Sequence, residues 1–352
     1  MPNWTSAMQQ IFEYYKVDPF TWKDVSMLED VISSSITWDY NSETLGSASI
    51  DVNEPIGECY IRIYLITIQN GVKEKHPMGT FLVQTPSYSF DGKTKNITLD
   101  AYTPLLELKE NYPPIGYYLS KGENILQSAY LIAREQLRAP IYKTSNSETL
   151  KENFIANMDE TWISFIADLL KNADYRLGLD ELSRIIFTPE QDTKSLQPVW
   201  TYTDDNSSIL LPNLDIDHDL YGIPNVVEVV YSRGNEYYYG VATNDDPNSP
   251  VSTVSRGRKI TKRVSNPSFN GIPSKERIQE YAEQILREVS TLEYTVTYTH
   301  GYCPVRVGDC VRLNYRRAGL NGIKAKVISQ KIDCIPGCPV TEKATFTAEL
   351  WR

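Results

Sequence analysis

Four of the five cysteines lie near the C-terminal end, and thiols at short spacing are the side chains of this chain best suited to metal or redox chemistry. Cys303, Cys310, Cys334 and Cys338 are spaced C-x6-C and then C-x3-C. The second pair has the spacing of zinc ligands, and the first is longer than usual. A structural zinc, a disulfide and free buried thiols all remain open, and Cys59 stands alone. Cys310 shares a strand face with Arg312, opposite Val311 and Leu313, so it is expected to point away from the core.

A second candidate is DIDHDLYG, where Asp215, Asp217 and Asp219 alternate as calcium-loop ligands often do. An EF-hand needs Gly at its sixth position and an acid at its twelfth. Those positions hold Leu220 and Val226, which leaves a weak cation site or an exposed acidic loop. The three histidines, His76, His218 and His300, belong to no nucleophile motif. There is no G-x-S-x-G, H-E-x-x-H or phosphate-binding glycine loop. No catalytic residue is assigned, and zinc is the one cofactor in view. His300, before Gly301, reads as a turn residue. The dense basic run RGRKITKR offers Arg258, Lys259 and Lys262 to phosphate, without interleaved aromatics. It reads as a solvated or inter-subunit surface, with Arg256, Arg258 and Lys259 as contact candidates. In VDPFTW, Phe20 and Trp22 are apolar anchors of the same kind.

The elements that must position these residues are mostly strands. The 24 tyrosines cluster in alternating runs, which favours β structure. ASIDV, ECYIRIYLITIQN, MGTFLVQTP and KNITLDAYT follow one another with short turns, one at Asp91-Gly92, and predict an antiparallel barrel or sandwich. Residues 1–25 read as a partly helical lead-in stopped by Pro19. NILQSAYLIAREQL and WISFIADLL have helical spacing, and the polar KTSNSETLKEN between them reads as a mobile connection. YRLGLDELSRIIFTP reads as a hairpin and VWTYT as a further strand. From Ile278, Tyr281, Ala282, Ile285, Leu286 and Val289 form one helical stripe, with Pro273 and Ser274 as stop and cap. Tyr294, Val296 and Tyr298 then alternate with threonines, and a turn at Gly308-Asp309 leads to Val311, Leu313 and Tyr315 on one face.

These readings predict a mainly β chain with an α+β insert. They divide it into an N-terminal arm (1–31), a first β-barrel (32–112), a central α/β insert (113–222) and a second β-barrel (223–352) with a packed helix at 274–290. No apolar run approaches the roughly 20 residues of a membrane span, and the N-terminus lacks a signal peptide's basic start and apolar centre. Assembly in a cytoplasm is therefore expected. The net charge of −10 is uneven: residues 1–222 hold 17 Lys+Arg against 32 Asp+Glu, and the remainder 18 against 13. An acidic body with a mildly basic end suits ring or head-to-tail assembly better than nucleic-acid affinity.

Taken in order, VDPFTW, LGSASI, MGTFLVQTP, LDAYTPLLELKE, ISFIADLLKNADYRLGLDELSRIIFTP, WTYTDDNSSIL, YGIPNVVEVVYS, NDDPNSPVSTVSRGRKI, IQEYAEQILREVS and PVRVGDCVRLNY resemble the baseplate hub or tail-tip proteins of tailed bacteriophages and prophages. The resemblance runs over nearly the whole chain and rests on the order of modest motifs. It implies a homotrimer with two tube-forming barrels per chain, so that a pseudo-sixfold ring meets the tail tube and a threefold end meets a spike or fibre. It also implies a virion location, partners among the tube or distal tail, tape-measure and spike or fibre proteins, and passage of DNA without specific binding. An acidic channel wall would keep the duplex mobile, since phosphate contacts make binding stronger. The chain stops at FTAELWR, directly after barrel strands, which puts lytic activity in doubt. A cell-wall hydrolase and a receptor- or carbohydrate-binding module are the competing readings.

Overall fold

The computed structural model describes residues 2–90, 92–93, 95–191, 195–205, 208–218, 222–233, 236–265, 267, 274–289 and 291–349. The Asp91 half of the first expected turn, the Pro273 stop and Asp219 lie outside the described residues. The chain is mainly β, with few helices. It divides into one unit of residues 1–214 with 297–344 and a second of 215–296 with 345–352.

The first unit begins with β1 (Gln9–Val17), β2 (Asp24–Leu28), β3 (Val31–Asp39), β4 (Gly46–Val52), β5 (Tyr60–Gln69), β6 (Val72–Phe90) and β7 (Lys95–Tyr102). The helical lead-in expected over residues 1–25 is instead a strand and a turn. QQIFEYYKV alternates, and β1 pairs antiparallel with β5 from Gln9 opposite Ile68 to Val17 opposite Tyr60. β5 is the spine of the sheet, buried on both faces along most of its length. Ile61, Ile63 and Leu65 enter one core with Ile36, Ile50, Phe81 and Leu99, while Tyr60 enters another. Opposite Ile63 and Tyr64 the register shifts by one residue on β6. Gly79 takes φ +137 there, and a Cβ would meet the Phe81 and Trp38 rings within 3 Å, so only glycine fits the bulge.

The middle of the chain supplies α1 (Leu106–Lys109), β8 (Tyr118–Leu119), α2 (Ile125–Gln136), β9 (Phe154–Ile155), α3 (Trp162–Lys171), β10 (Tyr175–Leu179), β11 (Ile185–Pro189), β12 (Trp200–Thr203) and β13 (Leu210–His218). Asn124 and Thr161 cap α2 and α3 by accepting from Gln127 N and Ser164 N. Their apolar faces meet in a core with Leu105, Leu108, Leu177, Ile185 and Phe187. The connection expected to be mobile is pinned: Leu150 is buried, and Gly122 N, Ile125 N and Leu150 N donate to Leu150 O, Glu148 O and Glu123 O. The hairpin of β10 and β11 forms as expected.

The remaining elements are β14 (Val226–Arg233), β15 (Glu236–Thr243), α4 (Thr253–Arg256), β16 (Thr261–Ser265), α5 (Lys275–Val289), β17 (Thr291–Gly301), β18 (Cys310–Tyr315), β19 (Leu320–Asp333) and β20 (Pro339–Glu349). The main sheet runs β13-β17-β20-β19-β3-β4-β7-β6-β5-β1-β2, with β18 bridging β12 and β19. Strands from the two ends of the chain therefore lie side by side: β19 pairs antiparallel with β3, Ile332 opposite Ile36. In the second unit, β14 is central between antiparallel β15 and parallel β16. Helix α5, expected to pack within residues 223–352, lies on β14 and β15 of that stretch, where Ile278, Ala282 and Leu286 bury against Val227, Val229 and Ala242. Gly240 allows this approach, because a Cβ there would lie 2.7 Å from Ile278 O. No helix of the described residues is long and apolar enough to cross a membrane.

Candidate functional site

A connected group of buried polar and ionisable side chains lies where β12, β17, β19 and β20 meet. The period-two pattern that turns Val296 and Tyr298 inward continues to His300, so three successive inward positions of β17 are fully buried. His300 is thus a strand residue of the interior, contrary to the expected turn position. That alternation is the sequence signal that could have placed it. Glu342 of β20, completely buried, accepts from Gln330 Nε2 at 2.7 Å and from the hydroxyl of Tyr298. His300 Nε2 lies 3.3 Å from Glu342 Oε2 and 3.0 Å from the Tyr202 hydroxyl. Its Nδ1 is 2.7 Å from Gly301 O. Tyr202 also lies 3.4 Å from Cys303 Sγ, and Gln330 Nε2 donates to Val305 O at 3.0 Å.

Burial alone would push the His300 pKa down. The hydrogen bonds of Cys303 and Glu342 and the charge of Glu342 outweigh it and raise the pKa to about 10. The ring is an imidazolium at neutral pH, donating from both nitrogens to Gly301 O and to the Tyr202–Glu342 pair. Burial, and then the Glu342 charge, push the Tyr202 and Tyr298 hydroxyls well up, so both remain neutral donors. Cys, His and Glu in one cluster invite comparison with a nucleophilic triad. Here Cys303 Sγ is 3.9 Å from His300 Nδ1, whose proton goes to a backbone carbonyl. With the whole group sealed from solvent, the arrangement holds strands in register rather than presenting a nucleophile.

The cysteines are distributed rather than gathered. Cys303 belongs to the network just described, and Cys334 and Cys338 enter the core of β3 to β7. Burial pushes the Cys334 thiol up to about 12 and the Cys338 thiol higher still. Cys310, expected to point outward, is 2% exposed, although Arg312 on the same strand face is exposed. No group of three or more His, Cys, Asp or Glu side chains that could hold a metal ion occurs among the described residues. Asp215 and Asp217 are exposed on β13 rather than in a loop. Asp309 serves its turn, accepting from Arg306 N at 2.8 Å.

The contact candidates separate cleanly. Phe20 is 89% exposed. Trp22 is consumed within the chain: its ring meets Tyr60 edge-on at 4.9 Å and its Nε1 donates to Leu182 O. The buried Arg62 fixes this turn by pairing with Asp24 at 2.8 Å and donating to Trp22 O and Thr80 Oγ1. Arg258 and Lys259 are exposed after α4, and Arg256 is half-buried.

No protein-family model matches the sequence, and no curated protein matches it. Solved structures do match, end to end. The tail protein from Neisseria meningitidis superposes with a TM-score of 0.65 at 12% identity, covering 97% of this chain and 98% of its own. The 43 kDa tail protein of prophage MuSo2 from Shewanella oneidensis gives 0.64 at 11%, covering 95% and 98%. A prophage tail protein from Listeria monocytogenes gives 0.51 at 14%, covering 95% and 94%. The chain has the fold of these phage-type tail proteins.

Proposed function

We propose that this chain is a structural component of a phage or prophage tail, the hub of its baseplate or tail tip, located in the virion. The observation that carries the reading is the end-to-end likeness to two tail proteins, with nearly all of both partners covered. A superposition of one shared domain would carry far less. The interior supports a scaffold role, since the one Cys-His-Glu cluster described above is sealed and rigidly bonded.

In the finer reading the hub is a homotrimer that adapts a sixfold tube to a threefold spike or fibre. It contacts tube and tape-measure proteins and lines a channel for DNA. Exposed Phe20, Arg258 and Lys259 are available for subunit contacts, and the excess of acid over base suits a wall that does not hold phosphate. Light scattering on the purified protein tests this: a trimer of 40.2 kDa chains has a mass of about 120 kDa. A chain that remains monomeric at high concentration, alone and with the other tail proteins of its locus, refutes the hub.

A further inference from the structure

The sheet of β14, β15 and β16 in the second unit has two free edges, and their chemistry differs. On β15, Val241 N donates to Gln279 Oε1 at 3.1 Å, and Gln279 Nε2 donates to Val241 O at 2.9 Å. Both backbone groups of Val241 therefore face away from β14. Antiparallel alternation, with no register shift, turns those of Tyr239 and Tyr237 the same way. Both tyrosines are exposed, and among the described residues no side chain caps their edge as Gln279 caps Val241. Strand β15 also lacks the proline or lysine that commonly blunts an edge.

The opposite edge belongs to β16. Val226 N donates to Ile260 O, so in the parallel pair with β14 it is Thr261, Arg263 and Ser265 that turn backbone groups outward. All three are exposed. Arg263 stands opposite Glu228, whereas Lys262 stands opposite Val227, which α5 buries. The outward residues of β16 thus place their side chains on the face away from α5, as Tyr237 and Tyr239 do on β15.

We propose that β15 of one copy of this chain pairs antiparallel with β16 of a second copy, joining the two sheets edge to edge with both α5 helices on one side. Charge favours this over the pairing of two β15 strands. Glu283 Oε1 accepts from the same Gln279 amide at 3.1 Å, which sets a carboxylate beside the β15 edge. Lys262 is exposed and makes no ion pair among the described residues. When Tyr239 lies opposite Arg263 of the second copy, Lys262 of that copy falls opposite Gly240, beside Gln279 and Glu283. Its Val264 then meets Tyr238, a β-branched and aromatic pair of the kind that stabilises sheets. Arg263 keeps its ion pair with Glu228 at 2.7 Å. Two β15 strands would instead bring like carboxylates together at Glu283 and crowd two α5 helices over one edge. The contact is head to tail, so its repetition closes a ring or grows a filament. It deepens the hub reading and, in its threefold form, rests on it.

The test uses the full chain carrying both Tyr237→Cys and Ser265→Cys, oxidised by molecular oxygen and mapped by peptide mass spectrometry. Within one chain, β14 separates these positions by two strand spacings, about 9.5 Å. A disulfide spans at most roughly 7 Å between Cα atoms, so a 237–265 bond must join two copies. That bond is the expected result. Its absence, a monomeric chain, or a bond linking two β15 strands overturns the assignment. Tyr239→Pro should weaken self-association at least about tenfold in sedimentation velocity and spare the fold, because its N–H faces outward; unchanged association overturns the pairing. Ring size separates the two readings. Cross-linking that stops at three chains supports both, a ladder continuing past three refutes the threefold hub alone, and a trimer without the bond refutes the pairing alone. The cross-link remains decisive where the proline variant fails to fold.

Discussion

Replacing His300 by leucine should cost the first unit about 3–5 kcal/mol near neutral pH, the loss typical of breaking a buried ion pair by removing one partner. The geometry supports the upper part of that range. Glu342 would keep Tyr298 and Gln330 as donors but lose its only cationic partner among the described residues. Proton linkage gives a second route to the magnitude. A histidine that titrates near 6.5 unfolded and at about 10 folded contributes at most about 5 kcal/mol. Because the folded value is raised, this stability is fully present below pH 6.5 and is lost as the pH climbs through 10. The difference between wild type and His300→Leu in urea unfolding should therefore shrink from about pH 6 to about pH 10.5, toward the roughly 1 kcal/mol of a neutral hydrogen bond. The double replacement His300→Leu with Glu342→Leu should recover much of the loss, since no charge is then left unpaired. With three histidines in the chain, proton NMR can follow each ring. A His300 signal titrating near pH 6.5, or a penalty identical at both pH values, would refute the charged pair.

Arg62→Met should destabilise the chain by about 1–3 kcal/mol, because it leaves the buried Trp22 O and Thr80 Oγ1 without their donor and frees the turn that carries Trp22; quenching of tryptophan fluorescence by acrylamide should rise with it, and unchanged quenching would count against the pinning. Gly240→Ala should cost about 1–3 kcal/mol by forcing α5 away from β15. Amide exchange along residues 275–289 should accelerate while β5 stays protected, and equal exchange would show that the close approach is not required.

The local elements were legible in the sequence and the long-range partners were not. Helices α2 and α3 follow from apolar spacing, and the hairpin of β10 and β11 follows from two short apolar runs around a polar turn. The inward face of β18 also emerges, since Val311, Leu313 and Tyr315 alternate with polar residues and are buried. What spacing does not encode is which strand lies alongside. Alternation sets Cys310 beside exposed Arg312, yet Cys310 is buried, and nothing local announces that β18 has the parallel neighbour β12. The stripe of α5 gave the helix but not the sheet beneath it. In the arm, Pro19 and scattered aromatics drew attention from a strand whose alternation matters only once β5 is opposite. His300 continues the pattern of Val296 and Tyr298, but a polar residue on an apolar face gains meaning only when its partners, Glu342 and Tyr202, arrive from elsewhere in the chain.

The pairing of β19 with β3 sets a timetable for biosynthesis. Strand β3 leaves the ribosome long before its partner, and Ile36 must wait for Ile332, about 300 residues later. At translation rates of about 5–20 residues per second, that edge stays open for tens of seconds. Its unpaired N–H and C=O groups are then a template for any passing strand. Closing so large a loop is inexpensive in free energy, since the cost grows only logarithmically with length, but it delays completion of the main sheet until β19 has been made. Crowded nascent chains of this protein are therefore most vulnerable to cross-pairing at β3, before β19 has been made.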